Sequence, residues 1–134
     1  MFFRKLSFVA FAGMSLACVS SHALAAGPKP VKPLQGYKCL AIDAPDSVMM
    51  DFNNPIPLRS APNDHAPVIA PAAAILAVND PEQLDNGYVK SMNFAFKPGW
   101  VPTKWLKEYS EVHPGNTCAP YIMNDGKLGF KFGH

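Results

Sequence analysis

Proline sets the first limit on this fold. Fourteen of the 134 residues are proline, and they recur every few positions from Pro28 onward. An interior proline removes a helix hydrogen bond and clashes with the preceding turn, at a cost of about 3 kcal/mol. No capped stretch of ten residues with 3.6-residue apolar spacing survives this punctuation. What remains is a series of short apolar runs: Tyr37–Ile42, Ile56–Arg59, Val68–Ala70, Ile75–Val78, Tyr88–Asn93 and Gly99–Val101. The alanines of residues 70–78 hint at a helix that Pro71 would start. Ile75-Leu76-Ala77-Val78 fits a buried strand better, with Asn79-Asp80-Pro81 as its turn. Residues 103–109 have room for a single helical turn. Short strands separated by turn residues predict an all-β fold, a small barrel or sandwich.

Two segments flank this block. Residues 26–35, with Pro28, Pro30 and Pro33, lack periodic apolar positions and read as an extended, proline-rich lead-in. At the other end, Tyr121-Ile122-Met123 and Leu128-Gly129-Phe130-Lys131-Phe132 bracket Asn124-Asp125-Gly126-Lys127. Asp-Gly between apolar runs is a hairpin signal, so residues 121–132 are expected to form a terminal β-hairpin laid against the barrel. The hairpin is too short to hold a core of its own. Residues 36–134 therefore count as a single domain.

The first 25 residues have a different character. Arg4 and Lys5 precede an uncharged run from Leu6 to Val19 that is rich in Phe, Leu, Val and Ala. That run falls short of the roughly 20 apolar residues a membrane-spanning helix needs. Ala23-Leu24-Ala25 then supplies the small-x-small pattern of a signal-peptidase site. The expectation is a cleavable signal over residues 1–25 and a periplasmic or secreted mature chain. Ser15-Leu16-Ala17-Cys18 offers a second route, lipidation at Cys18, but Ser15 occupies the position where a lipobox carries Leu. Membrane attachment is expected only if Cys18 is lipidated.

Removing the signal takes Arg4 and Lys5 from the twelve basic residues and leaves them balanced against the ten acidic ones. No basic stripe remains to bind nucleic acid or an anionic membrane. It also leaves two cysteines, Cys39 and Cys118. An even count in an oxidising compartment points to one structural disulfide. There is no CxxC spacing and no histidine neighbouring either cysteine, so neither reads as a metal ligand or catalytic thiol. A Cys39–Cys118 bond would close most of the globular region and stabilise it by roughly 4 to 5 kcal/mol in the loop-entropy account.

Read in order, five elements resemble the bacterial SH3-like (SH3b) domain family of the cell envelope. Ile56-Pro57-Leu58-Arg59-Ser60-Ala61-Pro62 resembles its opening strand, ending in Leu-Arg before a turn at proline. Pro67-Val68-Ile69-Ala70 and Ile75-Leu76-Ala77-Val78 resemble its second and third strands. Asn86-Gly87-Tyr88-Val89-Lys90 is similar to a Gly-Trp-Val-Lys-Val strand with Tyr in place of Trp. Gly99-Trp100-Val101 and Trp105-Leu106 resemble the closing strand and the turn after it. The resemblance covers residues 56–109 and implies a small SH3-like barrel. It departs from the family at Ala72-Ala73-Ala74, where a glycine turn is usual, and in the longer connection from Met92 to Pro98.

Arg59, whose planar fork of donors suits carbonyl and carboxylate acceptors, is expected to tie strand to loop, with Asp64 a candidate partner. Trp100 is expected in the core. Tyr88, Phe94, Phe96 and Trp105 are the candidates for an exposed aromatic groove. No GxSxG, HExxH, Walker or Rossmann pattern occurs. His65, His113 and His134 have no metal-ligand spacing, and Asp43, Asp46 and Asp51 form only a loose cluster. No enzyme activity, metal or cofactor is expected. The resemblance implies an envelope binding module for a peptide, a cell-wall fragment or an envelope protein. Tyr37-Lys38-Cys39 is similar to the start of periplasmic lysozyme inhibitors, and an inhibitor or accessory protein is the alternative.

Overall fold

A computed structural model of the chain describes Ala12, Gly13, Ser15 and residues 26–134. Apart from those three positions, the export signal assigned to residues 1–25, Cys18 included, lies outside the described residues. The elements run β1 (Pro30–Pro33), β2 (Tyr37–Ile42), α1 (Asp46–Met49), β3 (Pro57–Arg59), β4 (Val68–Pro71), β5 (Ile75–Asn79), β6 (Leu84–Asp85) and β7 (Tyr88–Met92). Then follow β8 (Pro98–Pro102), a 3-10 turn (Thr103–Trp105), β9 (Leu106–Glu108), α2 (Tyr109–Val112), β10 (Thr117–Met123) and β11 (Leu128–Gly133). The all-β class expected from sequence is what the structure shows, with helix confined to single turns among the described residues.

Two sheets make the body. One has the order β4-β3-β8-β7-β6 and the other β5-β2-β9, all pairs antiparallel. Their inward positions supply the core: Leu40, Leu58, Leu76, Val78, Val89 and Val101 are buried, with Ile56, Ile69 and Leu106 packed around them. Each such side chain contributes about 1.5–3 kcal/mol of burial. The sheets do not close into one barrel. Among the described residues, β5 pairs only with β2 and β7 only with β6 and β8. Between β5 and β7, Ser91 Oγ donates to the Ala77 carbonyl at 2.8 Å in place of a ladder.

Local chemistry explains the tight places. Asn86 and Gly87 link β6 to β7 with φ of 51° and 78°, the left-handed pair a two-residue hairpin turn requires. Gly99 lies where a Cβ would stand 2.6 Å from Leu58 Cδ1, so β8 approaches β3 only without a side chain there. The same strand corrects an expectation. Gly99 and Val101 are buried and face the core, so Trp100 between them points to the other face and is only half-buried. Successive side chains of a strand alternate sides, and the core position was one residue further on.

The third sheet has the order β1-β10-β11. The expected terminal hairpin is present, with Thr117 opposite Gly133 at one end and Ile122 opposite Leu128 at the other. The expected lead-in is corrected in part, since residues 30–33 pair with β10 as an edge strand. Pro30 and Pro33 are tolerated there because an edge strand needs donors on one side only. Leu34 N–H still donates to the Pro120 carbonyl at 3.0 Å.

Three ties fasten this sheet to the body. The Cys39–Cys118 disulfide joins β2 to β10 across 79 positions of sequence, with Cα atoms 6.0 Å apart. Leu128, buried at the start of β11, donates its N–H to the Phe94 carbonyl at 2.8 Å. The Tyr109 ring stacks on Phe132 at 5.7 Å between centroids. The long connection from Met92 to Pro98 thus gains a structural account, as the piece of the body that reaches the added sheet. Among the described residues, no helix is long and apolar enough to cross a membrane.

Candidate functional site

The four aromatic candidates do not share one surface. Tyr88 is buried, 4% exposed, and its hydroxyl donates to Asp64 Oδ1. Its expected exposure is overturned, because the Asp64 carboxylate receives the hydroxyl and lets the ring be buried. Phe94 is exposed but sits on the connection that meets Leu128. Phe96 lies with Tyr37, Lys90 and Pro98 around a separate depression of about 230 Å³. It holds a left-handed φ of 63°, rare for a bulky residue. The Asn93 side chain stabilises that turn by accepting from the N–H groups of Ala95 and Lys97. Trp105 is half-buried beneath the Lys104 ammonium, 4.7 Å from its ring centre, and its carbonyl accepts from Asp43 N–H.

Arg59 ties strand to loop: Nη1 donates to the Ala66 carbonyl at 2.8 Å. Beside it, Asp64 takes the Tyr88 hydroxyl, and that bond, with burial and the nearby carboxylate charge, raises the Tyr88 pKa above its ordinary 10.0. Lys38 lies between Glu108 and Glu82. Its bond to Glu108 is the largest cause of a pKa raised above 10.5. These groups fix the body.

The open site lies elsewhere, on the connection from β2 to β3. Residues 43–56 leave the body at Asp43, whose N–H donates to Trp105, and return at Ile56, whose carbonyl accepts from Ala72 N–H. Between these anchors, α1 is a single turn with no buried residue. Pro45 precedes it, and Pro55 ends the excursion. Met49, Met50 and Phe52 are 41, 65 and 78% exposed. With Val48, Pro55, Ile56 and the β4 end at Pro71, Met49 and Phe52 line a groove of about 260 Å³. Its one ionisable lining group is Asp51, and Asp46 stands one turn before Met49 on α1. Hydrocarbon and thioether surface with a carboxylate rim offers burial for an apolar side chain. Among the described residues, no group of three His, Cys, Asp or Glu side chains is placed to hold a metal ion.

Sequence reasoning missed this groove. It weighed Asp43, Asp46 and Asp51 as an acidic cluster and passed over the apolar residues among them. The available signal was Val48-Met49-Met50 and Phe52 between Pro45 and Pro55, apolar residues with neither strand alternation nor helix length. Compared with protein-family models, curated proteins and solved structures, the chain matches none.

Proposed function

We propose that the protein is a non-catalytic binding module of the cell envelope, with an SH3-like core, that docks a peptide or protein partner in the groove between residues 42 and 72. The observation that carries this reading is Phe52, 78% exposed at the lip of an apolar groove. A monomer spends solubility on such a cluster, and contiguous exposed apolar surface of this kind marks interaction sites. At about 260 Å³ the groove falls below the roughly 300–1,000 Å³ of small-molecule pockets. It suits one or two side chains of a larger partner. Methionine lips adapt to irregular partners.

The SH3-like assignment is supported by the order of elements over residues 56–109. Strands β3, β4, β5, β7 and β8 and the 3-10 turn fall on the motif's elements, with the short β6 between β5 and β7. The envelope location is supported by the Cys39–Cys118 bond, since disulfides persist in oxidising compartments. Immobilised wild type and Phe52→Asp, exposed to solubilised envelope protein and separately to purified peptidoglycan, test the proposal. A protein retained by wild type and lost with Phe52→Asp is the expected result. Retention on peptidoglycan alone, or equal retention by both, contradicts a protein-docking groove.

A further inference from the structure

The charged groups on the connection that frames the groove are all carboxylates: Asp43, Asp46 and Asp51. Asp46 lies one turn before Met49, and Asp51 is part of the lining. Asp43, at the start of the same connection, is held by Lys107 at 2.7 Å, so Lys107 is engaged. No lysine or arginine occurs in sequence between Lys38 and Arg59, nor between Arg59 and Lys90. The wall formed by Pro71 and Ala72 therefore adds no cation. Arg59 turns its Nη1 to Ala66 within the body. The groove thus has an apolar lining with one exposed carboxylate, Asp51, and a second, Asp46, on the same α1 turn that supplies Val48 and Met49, with no cation on the connection to meet them.

From this we infer that the partner supplies an extended segment in which one apolar side chain is flanked by lysine or arginine; the inference rests on the groove being the docking site. The apolar side chain fills the space against Met49, Phe52 and Ile56. The flanking cations reach Asp46 and Asp51 at the rim. Burial of the anchor sets the affinity, and the rim carboxylates select the sign of the partner and speed encounter. Anionic surfaces such as nucleic acid or acidic lipid meet like charge here and are disfavoured as occupants.

Two end-blocked peptides test this, Gly-Lys-Pro-Phe-Lys-Gly and its counterpart with glutamate in place of both lysines. They are titrated into the oxidised protein while methyl NMR signals of Val48, Met49 and Ile56 are followed. The lysine peptide is expected to shift these signals with a Kd roughly fivefold below that of the glutamate peptide at low salt, the effect of two exposed ion pairs. Raising salt to about 0.5 M should shrink the difference. The double variant Asp46→Asn with Asp51→Asn should bring the two peptides to parity. Both substitutions sit on exposed side chains outside the core, so the variant is expected to fold. If the peptides bind the wild-type groove equally, or glutamate wins, the charge inference is overturned while the groove stands. If neither shifts the groove signals, both readings fall. Self-association at NMR concentration that broadens the same methyls would make a second copy the occupant and overturn the inference.

Discussion

The terminal sheet and the β2–β3 connection both lie outside the β3–β9 block, and they cover apolar surface to different degrees. The sheet turns Leu128, Pro120 and the Cys118 side of β10 toward the body and is tied down by a disulfide, a backbone bond from Leu128 to Phe94 and the Tyr109–Phe132 stack. The connection is anchored only at its ends and leaves Met50 and Phe52 in solvent. Charge divides the same way. The sheet and its turn carry Lys29, Lys32, Lys127 and Lys131 against Asp125 alone, while the connection carries three aspartates and no cation. The C-terminal sheet buries Leu128 against the body, whereas no residue of α1 is buried. Val31 and Phe132 stay 65 and 52% exposed on the sheet, but Phe52, at 78%, is the most exposed large apolar side chain among the described residues, and it lines a groove.

The largest effect should come from cutting the strongest tie. Replacing both Cys39 and Cys118 by serine should cost roughly 4 to 5 kcal/mol in urea unfolding, the loop-entropy value for a closure of 79 positions. Amide exchange should rise first in β10 and β11. A loss below about 1 kcal/mol would show that the sheet holds to the body without the covalent bond, and the contrast between the two regions would weaken.

Alkaline pH should loosen the body next. Tyr88 donates a proton to a carboxylate, and Lys38 sits as a cation between two, so each keeps its proton above its ordinary 10.0 and 10.5. Above about pH 10 the folded state then holds more protons than the unfolded one, and stability falls as pH rises through the raised values. Below that range these two groups leave stability flat. Urea midpoints taken from pH 8 to 11 check the sign. Tyr88→Phe should lower stability by about 1 kcal/mol at pH 8 through the lost bond and remove part of the alkaline slope. An unchanged slope would place the loss elsewhere.

The smallest stability effect belongs to the groove. Phe52→Ala should change unfolding free energy by no more than about 0.5 kcal/mol, as for surface positions away from packed features. A cost of about 3 kcal/mol, the value for a core phenylalanine, would make the side chain structural and remove the reason to treat the connection as a site.

Much of the fold was legible because strands announce themselves by short apolar runs. Tyr37–Ile42 was read to the residue, and the expected Asp125-Gly126 turn stands where Gly126 holds φ of 78°; the like turn at Asn86-Gly87 was read only as the start of a strand. β1 escaped because Pro30 and Pro33 argue against a strand everywhere except at an edge. Trp100 and Tyr88 were placed on the wrong sides of the surface for related reasons. Size and apolarity suggested a core Trp100, whereas the two-residue period made Val101 the core residue. Tyr88, next to a surface turn, is drawn inward by the Asp64 carboxylate that receives its hydroxyl. That pairing, 24 positions apart in sequence, leaves no local trace. The groove itself is assembled from residues 42–56 and the far end of β4, and only the fold brings Pro71 beside Met49.

The most direct measurement pairs stability with binding in Phe52→Asp. The account predicts a melting temperature within about 2 °C of wild type, since an exposed side chain carries little folding energy, together with loss of the protein retained by wild type. A marked fall in melting temperature, or retention unchanged, would contradict the claim that this face is left open in order to bind.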